Sequence, residues 1–422
     1  MMLLLALVLA SAQTDTAALG PRLSLDTVVA RTLAYSPAIA GARGLVRDAA
    51  AARRVALGAY LPSLFLNSSA GWTDPSSPSS VSSTSARNTY GAGVSASLDL
   101  FTGGRRGAQR SAADAESRAV DAGWVFTRYA TILTAKRGYF ALLRGRELVR
   151  VAEEFVAVAE LGLTYAADRE ATGTATRSDV LRARLALAAA RRQWLAARDT
   201  FAVAGAALGR LVGADGPVDA EPLASLDPTP LALSDSALGA MAPVVAPQVA
   251  AADAQSAAGS ALVRVYRSQY IPTISAGAGY SWANTSTTVG TTRPGWAFAI
   301  TTSFPLFNGF VREASVTQAE AAAEVARVAS FDTRRFIRAE TQRLLGSIHL
   351  AEQDIALTRE SVRLAREDLR VIQARYRSGI ATILDVLTSQ TAFVQSELDL
   401  VSAQFTYQVA RASLEALLGR DL

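Results

Sequence analysis

The sequence predicts a mixed α and membrane-β fold built as two similar halves, each joining two strands of membrane length to one hairpin of very long helices. Three observations predict it. First, a turn occurs twice. Gly173, Thr176, Asp179, Val180 and Leu181 match Gly379, Thr382, Asp385, Val386 and Leu387 at one constant offset, the mark of an internal duplication. Second, apolar or small residues step by fours and threes into each turn. They are Leu142, Gly145, Val149, Ala152, Val156, Ala159, Leu163 and Ala166 before the first. Before the second they are Leu344, Ile348, Ala351, Ile355, Thr358, Val362, Ala365, Leu369, Ile372 and Tyr376. This stepping is a coiled-coil seam. Third, two pairs of segments alternate apolar residues with small or polar ones, the period of a strand.

In chain order, residues 1–12 read as a signal peptide: an apolar run, Leu3 to Leu9, precedes Ala10-Ser11-Ala12 as a cleavage site. The first half spans 13–213. A short helix is expected over Leu25 to Tyr35, and Pro37 opens another that runs to about Tyr60. Tyr60-Leu61-Pro62 ends it, and the period changes to two. Leu64, Leu66, Ser68, Ala70 and Trp72 then face one way. After a Ser/Pro-rich loop, Asp74 to Asn88, the return strand places Tyr90, Ala92, Val94, Ala96, Leu98 and Leu100 on one face. The second half, 247–422, repeats this with Ile274, Ala276, Ala278, Tyr280 and Trp282, then Trp296, Phe298, Ile300, Thr302 and Phe304. Strands are expected at about 63–73, 89–101, 272–283 and 294–307, near the length of a tilted membrane strand.

Aromatic residues stand at both ends of these strands. Trp72, Tyr90, Trp282 and Trp296 are at the loop ends, and Tyr60, Phe101, Tyr270 and Phe307 at the helix ends. Two such girdles flank the apolar band of a membrane barrel. The alternation taken alone also fits a water-soluble sheet packed on helices.

Phe101-Thr102-Gly103-Gly104 and Phe307-Asn308-Gly309-Phe310 are the exits from strand into helix. From Gly104 a seam of Ala108, Ala112, Ala115, Ala119, Ala122, Phe126, Tyr129 and Leu133 leads into a helix that runs to about Asp168. Its length is about 65 residues, or about 100 Å at 1.5 Å per residue. A similar helix spans 309–377, and beyond its turn Leu387, Thr391, Val394, Leu398, Val401 and Phe405 continue the seam. Residues 214–246 break the periodicity with Pro217, Pro222, Pro228, Pro230 and Pro243, and form the connector between the halves.

Composition narrows the function. The 422 residues include no Cys, which excludes disulfides, thiolate metal sites and a lipidated N-terminal Cys. His349 is the single His, so one chain holds neither a His-based metal site nor a catalytic triad. No nucleophile–base pair or phosphate loop stands out, and no catalytic residue, metal or cofactor is assigned. The net charge of +5 is almost all Arg, with Lys136 the only Lys. The Arg residues are spread along amphipathic helices rather than clustered, which argues against a nucleic-acid partner. Past the signal peptide no apolar run is long enough for a membrane-spanning helix.

Four strands do not close a barrel, and open sheet edges do not survive in lipid. The chain is therefore expected to oligomerise. An eight-stranded barrel is filled by its own side chains, whereas more strands leave a lumen. The inward-facing residues here are Gly, Ser, Thr and Ala, which favours three chains around an open duct.

Several short motifs, in order, carry a resemblance. They are Leu23-Ser24-Leu25-Asp26, Ser36-Pro37, Tyr60-Leu61-Pro62, Tyr270-Ile271-Pro272, Leu306-Phe307-Asn308-Gly309 and Tyr376 to Leu387. With the duplication, they make the chain resemble the TolC-like outer membrane efflux family. The resemblance implies a homotrimer with a twelve-stranded outer-membrane barrel continued by a periplasmic α-helical barrel. It implies an exit duct of drug efflux pumps or type I secretion. Its partners would be a periplasmic adaptor and an inner-membrane transporter, docked at the helix tips. Gly173, Thr174, Gly379 and Ile380 occupy those tips. In similar family members acidic rings narrow the tip. Asp385 matches the first ring and Thr388 stands at the second. Tyr376 and Asp179 match two of the family's gating residues, while the gating Arg position holds Ala381. Both aspartates also fit plain helix caps. A secreted coiled-coil scaffold without a membrane barrel is the alternative function.

Overall fold

The computed structural model describes residues 20–72, 88–223, 225–284 and 292–422. The signal peptide, nearly all of the Ser/Pro-rich loop and most of the second interstrand loop lie outside the described residues. In order the elements are β1 (Arg22–Leu23), α1 (Leu25–Tyr35), α2 (Pro37–Gly58), β2 (Ser63–Trp72), β3 (Asn88–Phe101), α3 (Arg105–Ala171) and α4 (Arg177–Leu211). They continue with β4 (Asp219–Ala220), α5 (Asp235–Val245), α6 (Pro247–Arg267), β5 (Thr273–Asn284), β6 (Thr292–Ser303), α7 (Val311–Arg377) and α8 (Ile383–Leu418). The chain divides into two compact units.

The strand-bearing unit comprises 40–126 and 240–339. Its sheet is antiparallel in the order β2-β3-β5-β6. The register settles which residues share a face. Leu66 pairs with Val94, Val94 with Tyr280 and Tyr280 with Trp296, so the apolar positions form continuous rows. Phe65, Ser95, Gly279 and Ala297 form a row on the other face. The apolar face is open: Leu66 is 79% and Phe298 76% exposed. Trp296 stacks on Phe298 with ring centroids 6.1 Å apart and meets Tyr280 at 4.9 Å.

Two strand expectations need correction. The β3–β5 register shifts between Asp99 and Phe101, where Asp99 pairs with Ser275 and Phe101 with Ile274. The bulge takes Leu100 out of the ladder and brings Phe101 to the row of Ile274, where simple alternation had placed Leu100. In addition, β6 ends at Ser303 rather than near 307, because Pro305 has no N–H for the ladder. At the strand–helix exits Arg106 stacks on Tyr60 at 4.8 Å and donates to the carbonyls of Ala59 and Leu100. Arg312 stacks on Tyr270 at 4.2 Å and donates to the carbonyl of Pro305.

The helical unit comprises residues up to 39, then 127–239 and 340–422. The seam of α7 is inside: Leu344, Ile348, Ala351, Ile355, Val362, Leu369 and Tyr376 are all buried. In α3 the seam drifts. Phe126 is exposed, and burial resumes on Thr131, Ala135, Tyr139 and Leu142. A straight helix turns about 20° per heptad away from a strict seven-residue repeat, so one seam cannot persist over this length. In α8 Thr391 is exposed, while Ser389, Gln390, Ser396 and Glu397 are buried beside Phe393 and Val401. This helix is covered on more than one side, which a single-seam pattern does not express.

Residues 214–246 contain β4, which pairs in parallel with β1, and α5. Asp219 is held by Arg146 and by Arg22, whose Nε lies 3.1 Å away. The approach of the connector to α4 requires a glycine: a Cβ on Gly209 would lie 2.2 Å from the carbonyl oxygen of Gly216. Gly209→Ala is therefore expected to destabilise the helical unit by about 1–3 kcal/mol, the usual cost of overpacking, read as a lowered thermal midpoint. An unchanged midpoint would show that the connector moves away freely. One helical stretch, Asp235–Tyr270, is long and apolar enough by length and composition to cross a membrane, against the expectation of none. Its backbone leaves helical geometry at Ala246, before Pro247, and Pro243 lies inside α5.

Candidate functional site: the tips of the helical hairpins

Both hairpin turns lie in the helical unit and are built alike. Gly173 has φ 74° and Gly379 φ 83°, the left-handed conformation that glycine adopts without strain. In the first turn Gly173 N donates to Glu170 O, and Thr174 N and Ala175 N donate to Arg169 O. In the second, Gly379 N donates to Tyr376 O, and Ile380 N and Ala381 N donate to Arg375 O. The last carbonyls of α3 and α7 are thus satisfied by the turn itself. Thr174 and Ile380 directly follow the turn glycines and are exposed, Ile380 at 68%.

Each following helix begins with a capping box. The Oδ2 of Asp385 accepts from Thr382 N and Thr382 Oγ1, both at 2.8 Å, and Asp385 N donates to Thr382 Oγ1 at 3.3 Å. Asp179 and Thr176 repeat this at 3.0, 2.9 and 3.3 Å. The backbone N–H of Thr382 holds the Asp385 carboxyl below the ordinary aspartate range, helped by the Thr382 hydroxyl. The N–H of Thr176 does the same for Asp179, with Arg182 adding to it. Both carboxylates are therefore charged at neutral pH. Their capping role is real, and it leaves Asp385 and Thr388 on the exposed side of α8.

Tyr376 does not reach Asp179 in this structure. Its side chain is 2% exposed and packs with Ala166, Val180, Ala183, Ala381, Ile383 and Val386, residues of both hairpins. Its hydroxyl is buried on the side of Arg169, and the carboxylate of Asp179 is engaged by Thr176. Burial raises the Tyr376 phenol above its ordinary pKa, with the charge of Arg169 opposing. The residue that does reach Tyr376 is Arg169, which the sequence reading passed over. Its guanidinium lies 4.6 Å from the ring centroid of Tyr376. Its one visible signal was a basic residue in the last turn of a long helix, where it favours the dipole.

The aromatic girdle candidates lie in the strand-bearing unit. Trp72, Tyr90, Trp282, Trp296, Tyr60, Phe101, Tyr270 and Phe307 are all exposed. His349 is a half-exposed surface residue, 2.7 Å from Asp235 and 3.3 Å from Glu352, and these carboxylates raise its pKa. A groove of about 800 Å³ in the helical unit is lined by Phe140, Leu148, Val203, Leu344 and Phe405. Its lining includes no carboxylate, His or Lys, so it offers no acid–base pair.

A model of the outer membrane efflux protein family matches residues 28–214 and 241–420. Pyoverdine export outer membrane protein OpmQ of Pseudomonas aeruginosa is 26% identical over 417 residues, covering 94% of this chain and 85% of its own. Protein CyaE of Bordetella pertussis is 26% identical over 383 residues, covering 89% and 79%. The fold matches that of CusC, whose crystal structures concern transmembrane channel formation. The TM-score is 0.83 at 20% identity, over 94% of this chain and 92% of that one. Family and fold are those of channel proteins. The chain belongs to the outer membrane efflux protein family, the TolC-like channels, and resides in the outer membrane with a large periplasmic part.

Proposed function

We propose that three copies of this chain form the exit duct of a tripartite efflux or type I secretion system. One observation carries the reading: a four-stranded sheet whose apolar face is exposed and whose edge strands, β2 and β6, each have one neighbour among the described residues. In lipid an unpaired strand edge leaves backbone groups unsatisfied at several kcal/mol each, so the sheet requires closure. The antiparallel order lets β6 of one copy continue into β2 of the next. Three copies give twelve strands whose inward rows are mainly Gly, Ser and Ala with Phe65 among them, which leaves a lumen rather than a filled interior. The chain acts as a passive channel. The hairpin tips narrow its periplasmic end, and Gly173, Thr174, Gly379 and Ile380 present the turn surface to the adaptor. Asp385 supplies an acidic ring there, with Thr388 one turn further along α8. The aromatic girdles hold the barrel at the two membrane interfaces.

The test is the mass of the full chain in mild detergent, by native mass spectrometry. A trimer is expected. A monomer or dimer, or recovery of the protein without detergent, removes the closure argument and favours the scaffold reading.

A further inference from the structure

We infer that the groove in the helical unit is a binding site for small organic anions with an apolar body, a station that such cargo occupies on its way along the duct. The inference rests on the duct reading for the place of the groove, not for what it binds.

The groove, of about 800 Å³, is formed by α3, α4, α7 and α8. This is the size of a pocket for a drug-sized molecule. Its floor is apolar and closely packed: Phe140 is 4%, Leu344 5% and Phe405 4% exposed. Arg137, Arg144 and Arg343 also line it, all exposed, together with the hydroxyls of Ser347 and Thr406. Two of the three arginines are engaged. Arg343 donates to both oxygens of Glu340, at 2.8 and 2.6 Å, and Arg137 donates to the Ser413 hydroxyl at 3.2 Å. Arg144 has no ion-pair partner among the described residues. A free guanidinium beside an apolar floor suits a carboxylate or sulfonate carried on an aromatic or alkyl body. The fork donates two parallel bonds to the anion while the body covers the floor. A neutral body gains the floor alone, and a cation meets like charge.

Helix periodicity places the groove. At 3.6 residues per turn, side chains two residues apart point about 200° apart. On α3, Arg146 holds Asp219 of the connector, and Arg144 lines the groove. On α8, Tyr407 bonds to Thr229 of the connector, and Phe405 and Val409 line the groove. On α7, His349 meets Asp235 of the connector, and Ser347 lines the groove. Three helices thus agree that the connector lies on one face and the groove opens on the other. A connector inside a duct would obstruct it, so the groove is on the lumen side. The acidic tip does not repel an anion bound there. About 20 residues of α8 separate Asp385 from Phe405, about 30 Å at 1.5 Å per residue, and charges are screened over about 8–10 Å.

The experiment uses the full chain in lipid bilayers. Its lack of Cys allows a single thiol, Thr406→Cys, at the groove. The thiol is modified with a short, uncharged polyethylene-glycol maleimide, and the reaction is followed by mass spectrometry and by single-channel current. The probes are 8-anilinonaphthalene-1-sulfonate and N-phenyl-1-naphthylamine, which share their rings and differ in the sulfonate. The sulfonate should slow modification severalfold, and the neutral amine should not. Adding Arg144→Gln should abolish this protection, and Arg144→Lys should retain part of it. A thiol at the exposed Ser178→Cys, near the first hairpin turn, should react at one rate with or without either probe. Absence of protection overturns the site. So does equal protection by both probes, or protection that survives Arg144→Gln, since the groove would then be a plain apolar surface. Protection specific to the sulfonate, with a modification that leaves the current unchanged, upholds the site and removes its place in the duct instead.

Discussion

Phe298→Arg is expected to empty the outer membrane of assembled protein. Phe298 pairs with Ala278 in the apolar row, is largely exposed and stacks on Trp296. On the lipid face of a barrel, an arginine near the midplane costs about 2–4 kcal/mol. Three copies make this about 6–12 kcal/mol per trimer, comparable to the whole stability of a domain, about 5–15 kcal/mol. The control is the next residue but one step away in face: Ala299 pairs with Gly277 on the opposite side of the same strand. Ala299→Arg should insert and assemble near normally, because a lumen-facing charge stays in water. The measurement is the amount of trimer extracted from the outer-membrane fraction. Equal loss in both variants would show that the two faces are not lipid and water, and the barrel reading would fall with them.

Asp385→Asn is expected to remove most of the channel's cation preference while leaving the fold intact. Three carboxylates near the axis would set the local potential at the tip. Surface Arg residues further away are screened over about 8–10 Å at ordinary salt, so the net charge of +5 does not decide selectivity. Asparagine keeps an oxygen that can accept from the Thr382 N–H, so the cap survives and the charge does not. Thr382→Ala is the converse: it weakens the capping box, lowers the thermal midpoint and should leave selectivity nearly unchanged. The pH dependence has a definite sign. The native pKa of Asp385 is depressed, chiefly by the Thr382 N–H. Its contribution to stability is complete above the unfolded value, about 4, and is lost as pH falls through the lower native value. Cation preference should therefore be complete at neutral pH and fade as acid protonates the ring, whose members' mutual repulsion opposes the depression by the Thr382 N–H. Reversal potentials in planar bilayers under a salt gradient supply the measurement. An Asp385→Asn reversal potential equal to that of the wild type would leave the residue as a cap alone.

The elements themselves were legible in the residues. Leu344 to Tyr376 step by fours and threes, and a helix with that stripe has one way to bury it, so the α7 seam could be read directly. The turn glycines were legible for a similar reason: a helix that stops at Gly379 needs a left-handed residue there. Alternation located the strands because side chains on a strand point to opposite faces whatever surrounds them. These are local signals, fixed by backbone geometry within a few residues, and the sequence by itself determined them.

Tertiary structure alone decided the rest. The bulge that exchanges Leu100 for Phe101 depends on the partner strand β5, not on β3's own pattern. The burial of Gln390 rather than Thr391 depends on what packs around α8: Gln390 reaches the carbonyl of Val158 on α3. Tyr376 illustrates this most plainly. The resemblance names Tyr376 and Asp179 together as gating residues, but Asp179 is satisfied three residues away by Thr176, and the arginine that meets the tyrosine lies in the other hairpin. Which polar groups pair is settled by distances between chain-remote segments and by which partners are already taken, and neither quantity is written in the order of the residues.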